Sequence, residues 1–141
     1  MLVTLADIDF LISDRGRLLL NELADDDLSD AKILPLLTRL RKTYGAEQAS
    51  SALTQARLRQ KAIDKFGEDA KRMLFTHSAL QQASDPLIRC YRAGQMATGT
   101  VIDAGCGIGA DSLTFAQHEH NVVGIDIDPV RVAIARYNVE V

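Results

Sequence analysis

The sequence lacks the features that mark exported and membrane-embedded proteins. No apolar run in its 141 residues approaches the roughly 20 residues of a membrane-spanning helix. The amino-terminal segment "MLVTLADIDF" carries aspartates where a secretory signal peptide would carry lysines before a long apolar stretch. We therefore expect a soluble, cytoplasmic protein.

Potential metal ligands are also scarce. The two cysteines, Cys90 and Cys106, are too far apart for the spacing of a metal knuckle, and a disulfide is unexpected in a protein without an export signal. His118 and His120 fall at the end of a predicted helix, where an H-x-H pair rarely forms a metal site, and His77 has no partner. We expect free thiols and no metal.

Acidic and basic residues are unevenly distributed along the chain: the first and last sections have few basic residues, and the middle section has few acidic ones. Residues 1–31 hold two basic and eight acidic residues, 32–92 hold twelve basic and five acidic, and 93–141 hold two basic and six acidic. A basic block of this kind can bind a polyanion such as RNA, or it can be a solvated surface. Three cations of the basic section recur at four-residue spacing: Arg57, Lys61 and Lys65.

Up to about residue 97 the pattern is helical, because apolar residues recur every three or four positions without the alternation typical of strands. The longest predicted helix spans 46–66 and ends at Gly67. Another spans 32–44, with Pro35 near its first turn. Three hydroxyl residues are predicted helix caps: Ser13, Thr76 and Ser84.

From residue 98 the pattern becomes strand, glycine loop, helix, strand and helix. The last helix, in "DPVRVAIARYN", has Asp128 as its cap and Pro129 at its first position. This order implies two parallel strands joined by a right-handed crossover, the opening of a doubly wound, Rossmann-like sheet. The predicted fold class is α/β, with a helical domain at 1–97 and the first β-α-β-α unit of a ligand-binding domain at 98–141.

The loop in "TVIDAGCGIGADSLTF" has three glycines at alternate positions, Gly105, Gly107 and Gly109. Missing side chains let a ligand approach the backbone amides at the start of the following helix. The run "GCGIGA" fits the relaxed dinucleotide pattern G-x-G-x-x-G/A, so a nicotinamide or flavin cofactor is one candidate. Within it, Cys106 suits a tight turn better than it suits a nucleophile's role.

Two aspartates flank this loop. Asp103 stands two residues before Gly105, where a negative charge would serve an ammonium group better than a pyrophosphate. Asp126 ends the second strand, where a carboxylate can accept hydrogen bonds from both hydroxyls of a ribose. This second acid supports a nucleoside ligand without choosing among such ligands.

The stretch "VIDAGCGIG" resembles motif I of class I S-adenosylmethionine-dependent methyltransferases, an acid-x-G-x-G-x-G loop. Asp126 in "VVGIDID" matches that family's second motif, whose acid holds the ribose. The resemblance implies S-adenosyl-L-methionine as the cofactor, and the two acids favour it over a dinucleotide. The cofactor-binding residues that it implies in this stretch are Asp103, Ala104, Gly105, Cys106, Gly107, Gly109, Asp126 and Ile127.

A narrower resemblance covers about residues 46–141. "VVGIDIDPVRVAIARYNVEV" resembles trimethylguanosine synthase-like methyltransferases, and the helical stretch containing "LTQARLRQKAIDKFGEDAKRMLFTHSALQQAS" is similar to bacterial members of that group described as THUMP-like. In those relatives a phenylalanine-threonine pair borders the cofactor pocket, which implies Phe75 and Thr76 here. From the residues alone, the pair fits a core aromatic and a helix cap equally well.

The motif that positions the acceptor in amino-methylating relatives, D/N-P-P-aromatic, is absent from this sequence, whose two Asp-Pro pairs both begin predicted helices. A two-stranded parallel sheet also leaves apolar surface and a strand edge uncovered. We therefore expect a piece of a longer enzyme that holds part of a cofactor site and no catalytic residue, and that is inactive alone. We also expect either self-association or a loosely ordered carboxyl-terminal third.

The sequence thus predicts an S-adenosylmethionine-dependent methyltransferase. Its resemblance to the trimethylguanosine synthase-like group implies RNA as the substrate, with a guanine amine as one acceptor. RNA would contact the stripe formed by Arg57, Lys61 and Lys65. Two alternatives remain open: an NAD(P)- or flavin-dependent oxidoreductase domain, and a non-catalytic helical interaction module.

Overall fold

A computed structural model describes residues 3–140 of the chain. This part is mostly helical, with a short parallel sheet of two strands. In chain order the elements are α1 (Leu5–Ile12), α2 (Asp14–Ala24), α3 (Asp30–Tyr44), α4 (Ala46–Phe66), a 3-10 helix (Gly67–Lys71), α5 (His77–Gln82), α6 (Pro86–Gly94), β1 (Thr100–Ala104), α7 (Ala110–Gln117), β2 (Asn121–Ile125) and α8 (Pro129–Glu140). Within residues 3–140, no helix combines the length and the apolarity needed to cross a bilayer.

The helix starts follow side-chain caps. Ser13 accepts a hydrogen bond from the N–H of Gly16 at 3.1 Å, which confirms it as the cap of α2, and Thr76 caps α5 in the same way. The prediction of Ser84 as the cap of α6 is wrong by one residue. Asp85 is the cap, because its carboxylate accepts from the N–H of Leu87 at 2.8 Å.

Two helices at the amino terminus differ from the predicted pattern. The first helix, α1, was not predicted, and it begins at a capping box in which Thr4 and Asp7 bond each other's backbone N–H. α3 begins at Asp30, two residues before the predicted start, so Pro35 lies inside the helix rather than near its first turn. Proline lacks the N–H that would bond the preceding turn, and here it stands at an exposed position.

The hydrophobic core is shared by the helical part and the α/β part. Leu11, Leu19 and Phe75 of the helical part belong to the same buried cluster as two isoleucines of the α/β part. These are Ile108, in the loop after β1, and Ile134, on α8. α1 packs against α8, and α6 packs against α7. The core is therefore continuous across residue 97, and the division into two domains stays a prediction.

Two buried side-chain amides hold a segment that has no regular secondary structure and link these parts of the chain. Asn138 on α8 accepts from the N–H of Leu74 at 2.7 Å and donates to the carbonyls of Leu74 and Ile108, both at 2.9 Å. Gln55 on α4 accepts from the N–H of Phe75 at 2.9 Å and donates to its carbonyl at 2.6 Å. We call these four residues, Gln55, Leu74, Phe75 and Asn138, the amide clamp. It joins α4, α8 and the glycine loop.

The two strands are parallel, as predicted, with Thr100 opposite Asn121 and Ala104 opposite Ile125. One face of the sheet lies against α7. On the other face the side chains of Ile102 and Val123 are 65% and 49% exposed. Parallel sheets usually bury both faces, and here one face is open. The self-association expected from the uncovered strand edge stays a prediction.

The amide clamp predicts a large effect of Asn138→Leu on stability. The substitution leaves the N–H and carbonyl of Leu74 and the carbonyl of Ile108 without their partners in a buried region. We expect the free energy of unfolding, measured with urea, to fall by about 3–5 kcal/mol.

Asn21→Leu on α2 is the matched control, because Asn21 is exposed and none of the hydrogen bonds described for the chain involves its side chain. It should change the free energy of unfolding by no more than about 0.5 kcal/mol. Equal losses in the two variants would contradict the role of the clamp.

Candidate functional site

The glycine loop connects the end of β1 to α7 and is docked on the end of β2. The N–H groups of Gly105 and Cys106 both donate to the carbonyl of Ile125, at 2.6 Å and 3.0 Å. The N–H of Gly109 donates to the carbonyl of Cys106 at 2.8 Å. The N–H of Gly107 donates to a side-chain oxygen of Asp126 at 2.9 Å. Four of the five backbone N–H groups from 105 to 109 are therefore occupied within the protein.

This bonding changes the predicted role of the loop. The sequence suggested that the glycines expose amides to a ligand, as they would for a phosphate. In the structure those amides hold the loop against β2 and Asp126, which leaves Ile108 as the loop residue whose N–H has no described acceptor. The loop is therefore poorly equipped to bind a pyrophosphate.

The three glycines of the loop all have positive φ, and they differ in what surrounds them. A Cβ atom on Gly105 (φ = +82°) or Gly107 (φ = +57°) would meet no atom within 4 Å. On Gly109 (φ = +80°) it would lie 3.1 Å from the Cα of Ala135 on α8. Gly105 and Gly107 thus open the loop to its surroundings, while Gly109 lets α8 approach.

Asp126 lies beside the loop, as the sequence predicted. Its Oδ1 accepts from the N–H of Asp128 at 2.9 Å, and its Oδ2 accepts from the N–H of Gly107. These two backbone donors, Asp128 first, lower the pKa of the Asp126 carboxyl below its usual range, so the group is ionised at neutral pH. A carboxylate offers about four lone-pair positions, and acceptor capacity therefore remains for a ligand.

Asp103 points toward α7. Its Oδ2 accepts from the hydroxyl of Ser112 at 2.6 Å, and its residue is half-buried. The next residue, Ala104, is exposed at the end of β1, and the side chain of Ile127 after β2 is fully exposed. Of the implied residues at the strand ends, Asp126 therefore bonds the glycine loop directly, whereas Asp103 bonds α7.

Cys106 is buried in the loop beneath β2. A Cβ atom on Gly124 would lie 3.1 Å from its Sγ, so the two residues pack closely. Burial, and then the charges of Asp103 and Asp126, raise the pKa of the Cys106 thiol. The sulfur is protonated at neutral pH and fills space in a tight turn, as expected.

A cleft of about 110 Å³ opens beside the loop. It is walled by the loop, by the turn that follows α5 and by the first turns of α7 and α8. The lining residues include Gly105, Gly107, Gln82, Ser84, Asp111 and Arg131. Sequence reasoning missed Gln82, Ser84 and Arg131 as site residues, because only the packing of the helical part places the α5 turn across the loop. Ligand sites usually measure about 300–1,000 Å³, so this cleft accommodates part of a nucleoside-sized ligand.

Charged residues at the rim of this cleft are paired. Arg92 on α6 donates to Asp111 at 2.5 Å, and Arg131 on α8 lies 3.5 Å from Asp128. The first pair joins the helical part to α7. The second pair is local, because Asp128 directly precedes α8.

Phe75 and Thr76 are not among the residues that line the cleft. Phe75 is fully buried and packs against Phe66, with ring centroids 5.4 Å apart. Thr76 accepts from the N–H of Ala79 at 3.2 Å. These contacts are those of a core aromatic and a helix cap, and the implied place of the pair at the border of the cofactor pocket stays a prediction.

Two of the three residues of the basic stripe have structural partners. Arg57 pairs with Asp30 at 2.7 Å. Lys65 donates to three carbonyls at the end of α5, those of Leu80, Gln81 and Ala83. Lys61 is exposed, and no hydrogen bond or ion pair within the described residues includes it. Of the three stripe residues, Lys61 is therefore the one whose side chain has no partner in the described part of the chain.

Neither His118 nor His120 is part of a metal site in the portion of the chain that the structure describes, and each contacts a residue of α7. The Nδ1 of His118 lies 2.9 Å from the carbonyl of Thr114, and His120 is buried with its ring edge-on to Phe115. Among residues 3–140, no group of three or more histidine, cysteine, aspartate or glutamate side chains could hold a metal ion.

The contrast between the loop glycines yields a prediction. Gly105→Ala should lower the free energy of unfolding by about 1–2 kcal/mol, because alanine is strained at positive φ. Gly109→Ala should incur the same strain and a further loss of about 1–3 kcal/mol, because its methyl group must displace α8 at Ala135. Urea unfolding measures both variants, and equal losses would show that α8 does not press on the loop.

Two family models match separate parts of the chain. Residues 4–62 match a domain of unknown function, DUF8688, and residues 101–141 match a methyltransferase domain. The second match begins in β1 and includes the glycine loop and Asp126. No solved structure gives a significant match.

Relatives of this chain carry methyltransferase names. Two uncharacterised S-adenosylmethionine-dependent methyltransferases of Mycobacterium tuberculosis, from strains CDC 1551 and H37Rv, are each 41% identical over 86 residues, or 57% of this chain. An uncharacterised RNA methyltransferase of Lactiplantibacillus plantarum is 47% identical over 49 residues, which are 35% of this chain and 11% of that relative. The chain spans 24% of the length of the mycobacterial relatives. The match of residues 101–141 confirms the expectation of a methyltransferase domain in the part of the chain that holds the glycine loop.

Proposed function

We propose that the glycine loop and Asp126 bind S-adenosylmethionine, and that the protein acts as an S-adenosylmethionine-dependent methyltransferase. One observation carries this proposal: an ionised carboxylate stands against an open glycine loop whose amides are occupied by the protein itself. The match of residues 101–141 to a methyltransferase domain supports it, as do the names of the mycobacterial relatives.

Different residues of the loop and the strand ends would bind different parts of the cofactor. Asp126 accepts from the ribose hydroxyls with the lone pairs that its backbone donors leave unused. Gly105 and Gly107 let the ligand lie against the main chain, because a side chain there would occupy the open space. Asp103, oriented by Ser112, offers a negative charge to the ammonium group of the cofactor's amino-acid part. When bound, the cofactor supplies an activated methyl group. We assign no catalytic residue among residues 3–140.

A dinucleotide is the weaker alternative. A pyrophosphate needs free N–H donors and tolerates nearby carboxylates poorly. Here four loop amides are occupied, and Asp103 and Asp126 flank the loop. Both features suit a ligand that carries a ribose and a positive charge.

Asp126→Ala tests the assignment of the ribose. S-adenosylhomocysteine should bind the variant more weakly by about 1–3 kcal/mol in calorimetry, because hydrogen bonds to a charged group are lost. Asp64→Ala on α4 is the matched control, since Asp64 is exposed and outside the cleft. An unchanged affinity in Asp126→Ala would remove this residue from the site.

We further propose that the acceptor is RNA, with a guanine amine among its targets, and that the protein falls in the trimethylguanosine synthase-like, THUMP-like group. The name of the Lactiplantibacillus plantarum relative and the basic section 32–92 support the RNA substrate. The resemblance of "VVGIDIDPVRVAIARYNVEV" supports the narrower group.

The contribution of Lys61 to RNA binding can be measured by salt titration. Lys61→Glu should weaken binding and reduce the slope of log K against log salt by about one unit, the value for one lost phosphate contact. Lys42→Glu on α3 makes the same charge change at another exposed position and should have a smaller effect. Equal effects would show only a general attraction between opposite charges, and salt-independent binding would contradict the RNA surface.

A further inference from the structure

A second cleft, of about 400 Å³, lies between α2, α4 and the 3-10 helix, and it shares no lining residue with the cleft beside the glycine loop. Its floor is apolar and includes the buried side chains of Leu20, Leu23 and Ala56. Its volume falls within the range of small-molecule sites, which are typically lined by apolar side chains and a few placed polar groups.

One of those polar groups is the guanidinium of Arg59. Its Nε donates to the carbonyl of Met73 and its Nη2 donates to the carbonyl of Arg72, both at 2.9 Å. No ion pair within residues 3–140 includes it, and a partly buried charge without a counter-charge is unfavourable. Burial lowers the pKa of Arg59, and the nearby Tyr137 hydroxyl opposes this shift. A guanidinium has five N–H donors, so donors remain for an anion.

The other charged residues of the lining are Lys71, Arg72 and Asp25. Lys71 pairs with Glu68 and Arg72 pairs with Asp69, two acids of the 3-10 helix, so the charges of these two cations are largely balanced. Arg59 is therefore the cation of the lining without an ion-pair partner among residues 3–140.

We propose that this cleft binds a small organic anion, a carboxylate with an unbranched or aromatic apolar body of medium length. The carboxylate pairs with Arg59, and the apolar body lies on Leu20, Leu23 and Ala56. A phosphate or polyphosphate would leave the apolar floor in contact with water, and a neutral apolar molecule would leave Arg59 without a counter-charge. The amphipathic anion satisfies both parts of the cleft.

The test is an NMR titration of the ¹⁵N-labelled chain with sodium octanoate, followed by octylammonium chloride on a separate sample. Octanoate should give saturable shifts at the amides of α2 and α4 that line the cleft, and octylammonium should not, although its chain has the same length. Gln60→Glu places a negative charge at an exposed lining position and should weaken octanoate binding roughly threefold to tenfold.

Gln95→Glu makes the same change at an exposed position outside the cleft and should leave octanoate binding unchanged. Equal binding of octanoate and octylammonium would overturn the proposal, because the charge would then have no role. So would octanoate shifts confined to β1, β2 and the glycine loop, equal effects of the two glutamate variants, or an absence of saturable shifts.

Discussion

The fold depends on how one buried segment without regular secondary structure satisfies its backbone hydrogen bonds. Leu74 and Phe75 are fully buried and lie in neither a helix nor a strand, so their N–H and carbonyl groups need partners from elsewhere. Asn138 and Gln55 provide them, each bonding both the N–H and the carbonyl of one residue. Because Asn138 also donates to the carbonyl of Ile108, the same bonds fix the glycine loop to the helical bundle.

The glycine loop acquires its chemistry from this fixed position. Its amides bond β2 and Asp126, so a ligand meets mainly carboxylate oxygens and open space above Gly105 and Gly107. Close packing at Gly109 and Gly124 brings α8 and Cys106 against the loop and the sheet. A ligand that donates hydrogen bonds and carries positive charge fits this arrangement better than one that needs many donors.

Local sequence patterns predicted most helices and both strands, but they could not predict contacts between residues that are far apart in the sequence. Pro129 and Asp128 marked the start of α8, and the apolar runs marked both parallel strands. The cap of α6 was misplaced because Ser84 and Asp85 are adjacent and both are good caps. No local pattern singled out Asn138, because its partner Leu74 is 64 residues away in the sequence. Lys65 looked like a free surface cation for the same reason, because its carbonyl partners lie on α5 and the turn after it.

The central claim is that a loop held by the helical bundle binds an adenosyl amino acid rather than a dinucleotide. Amide hydrogen exchange of the chain, alone and with saturating S-adenosylhomocysteine or NAD, tests it most directly. We predict slow exchange at Leu74 in all three samples, and added protection at residues 105–108 and around Asp126 with S-adenosylhomocysteine only. Equal protection by NAD, or fast exchange at Leu74 with no protection of the loop, would contradict the account.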